Sequence, residues 1–151
     1  MSDSVAIDAS VALRWLLGTQ AEAAAATVLL STTAEARLPV LVSPAFHAAV
    51  AAELHGRSTG AAASAALTPA DAQTALAVLV HYPFQVVQTP GLYTTALKLA
   101  QGYRLASFAH ALNAAVAGLA GCELWTADQQ LISTLDGSLP HIRLITDYGS
   151  R

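Results

Sequence analysis

The sequence holds a single cysteine, Cys122, among 151 residues. An internal disulfide framework is excluded, and a reducing, cytoplasmic setting is the expectation. Charge is also scarce: Asp, Glu, Lys and Arg make up 11% of the chain, and the net charge is -3. Nothing resembles the basic face that tracks a phosphate backbone, so a nucleic-acid substrate would need a local patch or a metal to offset repulsion. The glycines form neither GxGxxG nor a P-loop, and there is no Cys/His cluster at metal spacing, no heptad series and no internal repeat. The opening MSDSVAID has no basic region ahead of an apolar run, so no secretory leader is expected. The longest uncharged run, Leu105 to Cys122, approaches membrane-spanning length. Alanine is its commonest residue, with Ser, His, Asn and Gly also present, and it reads as a buried helix of a soluble protein.

What is abundant is apolar surface. At 54% hydrophobic residues, one domain over residues 1–151 can bury roughly 70% of its unfolded surface without a staple. The excess predicts an apolar face for a partner, a homodimer in the first instance.

The elements alternate. Ser4 to Asp8 (SVAID) reads as a strand stopping at a carboxylate, followed by a helix over Ser10 to Leu17, a break at Gly18-Thr19, and a further helix over Ala21 to Leu30. Arg37 to Ser43 reads as a strand, Pro44 opens a helix over Ala45 to His55, and Arg57 to Ala66 reads as a connection. Thr68 and Pro69 start a helix continuing over Ala72 to Val80. Phe84 to Val87 is a short strand, and Gly91 to Gln101 a helix with Gly102 as its C-cap. Ser107 is the expected N-cap of a helix over Ala109 to Ala120 that stops at Gly121. The strand Glu123 to Thr126 then leads to Asp128, a helix over Gln129 to Leu135, a turn at Asp136-Gly137, and a last strand over Ile142 to Ile145. Strands of this apolar kind, alternating with helices, predict an α/β fold with a parallel sheet covered on both faces.

In such sheets ligands gather at the carboxyl ends of the strands, where Asp8 and Asp128 are both expected. Paired carboxylates suit Mg²⁺ or Mn²⁺ and the activation of water against a phosphodiester. Equally, an Asp after a strand is a common N-cap of the next helix. His110, in the first turn of its helix, is placed either as an auxiliary ligand or proton-transfer group or as an ordinary first-turn histidine. Ser10 and Thr126 either hydrogen-bond the carboxylates or cap turns. Glu53 is either a solvated helix residue or a group reaching the cleft through water. Trp15 and Trp125 lie in apolar runs and read as core aromatics rather than base-stacking platforms.

Five segments carry a family resemblance: VAIDASVALRWLL, SPAFHAAVAAEL, SFAHALNAAVA, LWTADQQL and PHIRLI. In this order they resemble the PIN domain, and within it the VapC-type toxins of toxin and antitoxin pairs, over nearly the whole chain. The resemblance implies a three-layer α/β/α fold, an acidic cluster holding Mg²⁺ or Mn²⁺, cleavage of RNA by metal-activated water, and an antitoxin-like protein partner. Carried over by position, the first acid is Asp8 and the last is Asp128. The third acid falls on His110, and the helix glutamate falls on Val50, or on Ala49 with a shift of one. The resemblance thus leads to two expectations, a metal-dependent endoribonuclease using Asp8, Asp128 and His110, or a degenerate PIN domain kept as an interaction module. A plain α/β domain whose two aspartates only cap helices stands beside them.

Overall fold

A computed structural model describes residues 3–18, 20–59 and 67–149. Five strands, β1 (Val5–Ile7), β2 (Val40–Val42), β3 (Gln85–Val86), β4 (Leu124–Thr126) and β5 (Ile142–Leu144), form one parallel sheet in the order β3-β2-β1-β4-β5. Among the described residues seven α-helices flank it: α1 (Ala9–Leu17), α2 (Gln20–Glu35), α3 (Phe46–Ser58), α4 (Pro69–His81), α5 (Leu92–Tyr103), α6 (Phe108–Ala120) and α7 (Gln129–Leu135). The expected three-layer α/β/α arrangement with a central parallel sheet is what these residues form.

The two-residue period of the strands decides which side chain meets which layer. Ile7, Val40, Val42 and Trp125 point to one core with α1, α2, α3 and α4, where Val11, Leu29, Phe46, Val50 and Leu79 are sealed from solvent. Ala6, Leu41 and Leu124 point to the other, with α5, α6 and α7. Each large apolar side chain sealed in this way contributes about 1.5–3 kcal/mol. On the second face the run Ala111 to Ala117 of α6 is buried throughout, and its small side chains let the helix lie close against the sheet. No helix among the described residues is long and apolar enough to cross a membrane.

Several boundaries differ from the sequence reading. Helix α2 runs on to Glu35, and the strand expected from Arg37 begins only at Val40. Arg37 adopts a left-handed conformation, φ 56°, and Leu38 N–H returns to Thr33 O, so this stretch is a helix-ending turn. Gly102 does not cap α5. Arg104 closes it instead, at φ 54° with its N–H on Ala100 O. Helix α3 passes through Gly56 to Ser58, the last strand ends at Leu144 in a 3₁₀ turn, and most of the Arg57 to Ala66 connection lies outside the described residues. The caps at Thr68 and Gly121 stand where the sequence placed them, and the turn expected at Asp136-Gly137 begins with Asp136 closing α7 in a left-handed conformation.

Two stability effects follow from these ends. At Gly18, which closes α1 with its N–H on Arg14 O, a Cβ would lie 2.4 Å from that same carbonyl oxygen. Gly18→Ala should therefore cost about 2 kcal/mol, read as a lower urea midpoint at unchanged slope. Thr68 Oγ1 accepts from Asp71 N–H at 3.0 Å at the exposed start of α4. Thr68→Ala should cost about 1 kcal/mol in the same measurement, and Thr68→Ser should restore most of it.

Candidate functional site

In the strand order, the chain leaves β1 toward β2 on one side and returns to β4 on the other. A crevice therefore opens at the carboxyl ends of β1 and β4. Asp8 follows β1, Ser43 follows β2 and Asp128 lies two residues beyond β4. All three line one cavity of about 120 Å³, together with His110 and Asn113 from α6 and Ala49 from α3. The topology thus brings Asp8, Asp128 and His110 together as the sequence anticipated.

Both aspartates are also helix caps. Asp8 Oδ1 accepts from Val11 N–H at 3.2 Å in the first turn of α1. Asp128 Oδ1 accepts from Gln130 N–H at 3.0 Å and Leu131 N–H at 3.2 Å at the start of α7. The capping and convergent readings of these residues are therefore one arrangement.

Behind the cavity, a buried hydrogen-bond network ties the ends of β1 and β4 to each other. Ser10 Oγ donates to Asp8 Oδ1 at 2.5 Å and accepts from Ala127 N–H at 2.8 Å. Thr126 Oγ1 donates to Asp8 Oδ2 at 2.5 Å and accepts from Asp128 N–H at 3.1 Å. Asp8 is 3% exposed and Thr126 is sealed, so Thr126 supports the carboxylate from behind and does not reach the cavity. Ser10 lies on the wall of both this cavity and the adjoining hollow.

Burial pushes the Asp8 carboxyl above its ordinary value of 3.8, against the opposing pull of the Ser10 and Thr126 hydroxyls, the Val11 N–H and nearby His110. An acid that holds its proton more tightly when folded contributes stability that is full below its unfolded pKa and is lost as the pH rises through the folded value. The stability of the wild type relative to Asp8→Asn should therefore fall as the pH rises above 3.8 and level off beyond the raised folded value. Urea unfolding of the pair over a pH series checks the sign. A relative stability that grows with pH would contradict it.

His110 Nε2 lies 3.1 Å from Asp128 Oδ2, with both side chains about one third exposed. Glu53 does not reach the cavity of Asp8. It borders the adjoining hollow, which Ser10, Ala49 and His110 also line, and its carboxylate lies 3.6 Å from Arg57 Nε. Val50 is sealed in the first core, whereas Ala49, one position earlier, lines the cavity. The place on α3 from which a glutamate could reach this cavity is thus Ala49.

Two lining residues escaped the sequence reading. Asn113 is 8% exposed, one helical turn after His110 on the same face of α6, and its amide has no hydrogen-bond partner among the described residues. The signal was an asparagine within an otherwise buried apolar helix at i+3 from a candidate group. Ser43, 3% exposed, accepts from Ala45 N–H at 3.2 Å, and its own proton is unspent.

The donor set can be tested against a divalent metal. A carboxylate offers about four acceptor positions. Asp8 spends three on Ser10, Val11 and Thr126, and Asp128 spends two, both on Oδ1, on Gln130 and Leu131, with His110 Nε2 3.1 Å from its Oδ2. Mg²⁺ and Mn²⁺ favour hard oxygen ligands in number, and among the described residues no group of three or more His, Cys, Asp or Glu is placed to hold a metal ion. With two carboxylates on its wall, the cavity offers fewer hard oxygen ligands than Mg²⁺ or Mn²⁺ prefers. Compared with protein-family models and with curated proteins, the chain matches none.

Proposed function

We propose that this chain is a PIN-like domain whose acidic cluster is reduced to Asp8 and Asp128, and that it works as a binding module rather than as a metal-dependent ribonuclease. The observation that carries this reading is the state of the two carboxylates. Asp8 is largely committed to protein donors, Asp128 Oδ1 caps α7, and the position of a third acid is held by His110, whose Nε2 lies 3.1 Å from Asp128 Oδ2. The site is built to hold α1, α6, α7 and the ends of β1 and β4 in register. A protein partner of the antitoxin kind, or a second copy of the chain, is in keeping with exposed apolar side chains such as Tyr93 and Leu97 on α5.

One observation favours the other reading, a VapC-type endoribonuclease dependent on Mg²⁺ or Mn²⁺. Asp8 and Asp128 face one cavity at the switch point of a parallel sheet, where such chemistry would be placed. The two readings separate in a gain-of-function experiment. Ala49→Glu combined with His110→Asp adds two carboxylates and removes the imidazole beside Asp128, and should produce Mn²⁺-dependent cleavage of single-stranded RNA that the wild type lacks. Cleavage already present in the wild type and abolished by Asp8→Asn would support the enzyme and overturn the binding module.

A further inference from the structure

The crevice that fits a cation poorly has unused hydrogen-bonding capacity of the opposite kind. Four donors at its wall have no acceptor. The Asn113 amide, more than nine-tenths buried, makes no hydrogen bond and lines the cavity. Ser107 occupies the N-cap position of α6, yet its hydroxyl makes no cap bond and lines the same cavity. The Ser43 hydroxyl, almost wholly buried, accepts from Ala45 N–H and does not spend its proton. The first-turn N–H groups of α6 itself, a helix of 13 residues, have no intrahelical acceptor and receive none from Ser107. Against these donors, Asp8 retains about one acceptor position and Asp128 about two.

We infer that this cavity binds a phosphate-type oxyanion without a metal, held by the Asn113 amide, the Ser107 and Ser43 hydroxyls and the amino end of α6. The Asn113 amide, facing the cavity with no protein partner, can donate to a ligand oxygen without giving up a bond within the protein. A helix amino terminus favours negative charge through its free N–H groups and its dipole. The cavity has room for one tetrahedral oxyanion or a few waters.

Asp8 and Asp128 put carboxylate oxygens on the same wall; the hydrogen bonds they accept orient them without removing their charge, and a protonated phosphate can donate to the acceptor positions they keep. Outside, Arg14 and Arg57 line the adjoining hollow beside His110, each next to a glutamate, Glu22 and Glu53, so the approach carries both signs of charge.

The inference rests on the reading of the site as metal-free, and its test distinguishes the two. Inorganic phosphate is titrated into the chelator-treated, full-length protein, followed by amide NMR and calorimetry. Saturable binding is expected, with the largest shifts at the Asn113 side-chain amide and at the first-turn amides of α6. Asn113→Ala should weaken binding about tenfold, and Ser107→Ala severalfold, the second variant serving if the first does not fold. A 5′-phosphorylated oligoribonucleotide compared with its unphosphorylated twin separates the sources of the group. Preference for the former indicates a terminal phosphate on RNA, and equal weak binding of both alongside tight inorganic phosphate indicates the free ion. Absence of saturable phosphate binding, or binding unchanged in both folded variants, overturns the inference. The reading as a metal-free module fails separately, through Mn²⁺ binding and cleavage in a phosphate-free arm.

Discussion

Val50→Glu is expected to unfold the protein or to lower its stability by about 4 kcal/mol or more, whereas Ala49→Glu should fold. Val50 is sealed within the core shared by α1, α2, α3 and α4, and no cation is available there to pair with a carboxylate. An unpaired charge in such a place must be neutralised or solvated at the cost of packing. Ala49 is half-buried on the cavity wall, where water can reach a longer side chain. Comparison of the two variants by urea unfolding thus reads the rotation of α3 directly. It also fixes which position could supply the acid that the PIN resemblance leads one to expect. Two variants of equal stability would place the helix in a different register from the one described.

Asp8→Ala is the second large effect. The substitution leaves the Ser10 and Thr126 hydroxyls and the Val11 N–H without their acceptor in a buried setting, and removes the cap of α1. Each orphaned donor costs about 1–3 kcal/mol unless water enters, and the cavity beside Asp8 is large enough to admit one. Relief of a buried carboxylate offsets part of the loss. The expected net is about 2–3 kcal/mol, read as a shift of the urea midpoint. Thr126→Val should cost less, about 1–2 kcal/mol, since Ser10 and Val11 keep their acceptor. If Thr126→Val proved costlier than Asp8→Ala, the network would be centred on Thr126 and not on the carboxylate.

Much of this arrangement is legible in the chain. The runs ending at Asp8 and Asp128 are short, apolar and followed by helical spacing, so local chemistry alone predicts strand, carboxylate, helix. Parallel strands then place both acids on one edge of the sheet. The caps at Thr68 and Gly121 and the turn at Asp136-Gly137 are equally local, because one side chain or one backbone conformation decides each of them.

What the chain conceals is decided by tertiary contact. The left-handed residues that end α2 and α5 are Arg37 and Arg104, which carry no conformational signal comparable to that of glycine, and Gly102 nearby misled. Rotation of α3 about its axis separates Ala49 from Val50 by one position, and an alanine-rich stretch offers too little contrast to fix it. Asn113 was hidden for a related reason. Within Ala111 to Ala117 it reads as one polar residue in a small-residue helix, and only the geometry shows its amide without a partner beside His110.

The resemblance to the PIN domain and the geometry bear on each other at His110. Where the family pattern has an acid, this chain has a base in contact with the last acid, 3.1 Å from Asp128 Oδ2. A divalent ion would have to displace that contact, and would still find few free oxygens. An oxyanion meets donors that are already oriented. The contrast in preferred ligand charge is therefore a property of particular side chains rather than of the fold.

The most direct test of this account is calorimetric titration of Mn²⁺ into the chelator-treated protein at neutral pH, with the Ala49→Glu, His110→Asp double variant beside it. The account predicts no saturable heat for the wild type and stoichiometric binding for the double variant. Stoichiometric Mn²⁺ binding by the wild type, lost in Asp8→Asn, would contradict it.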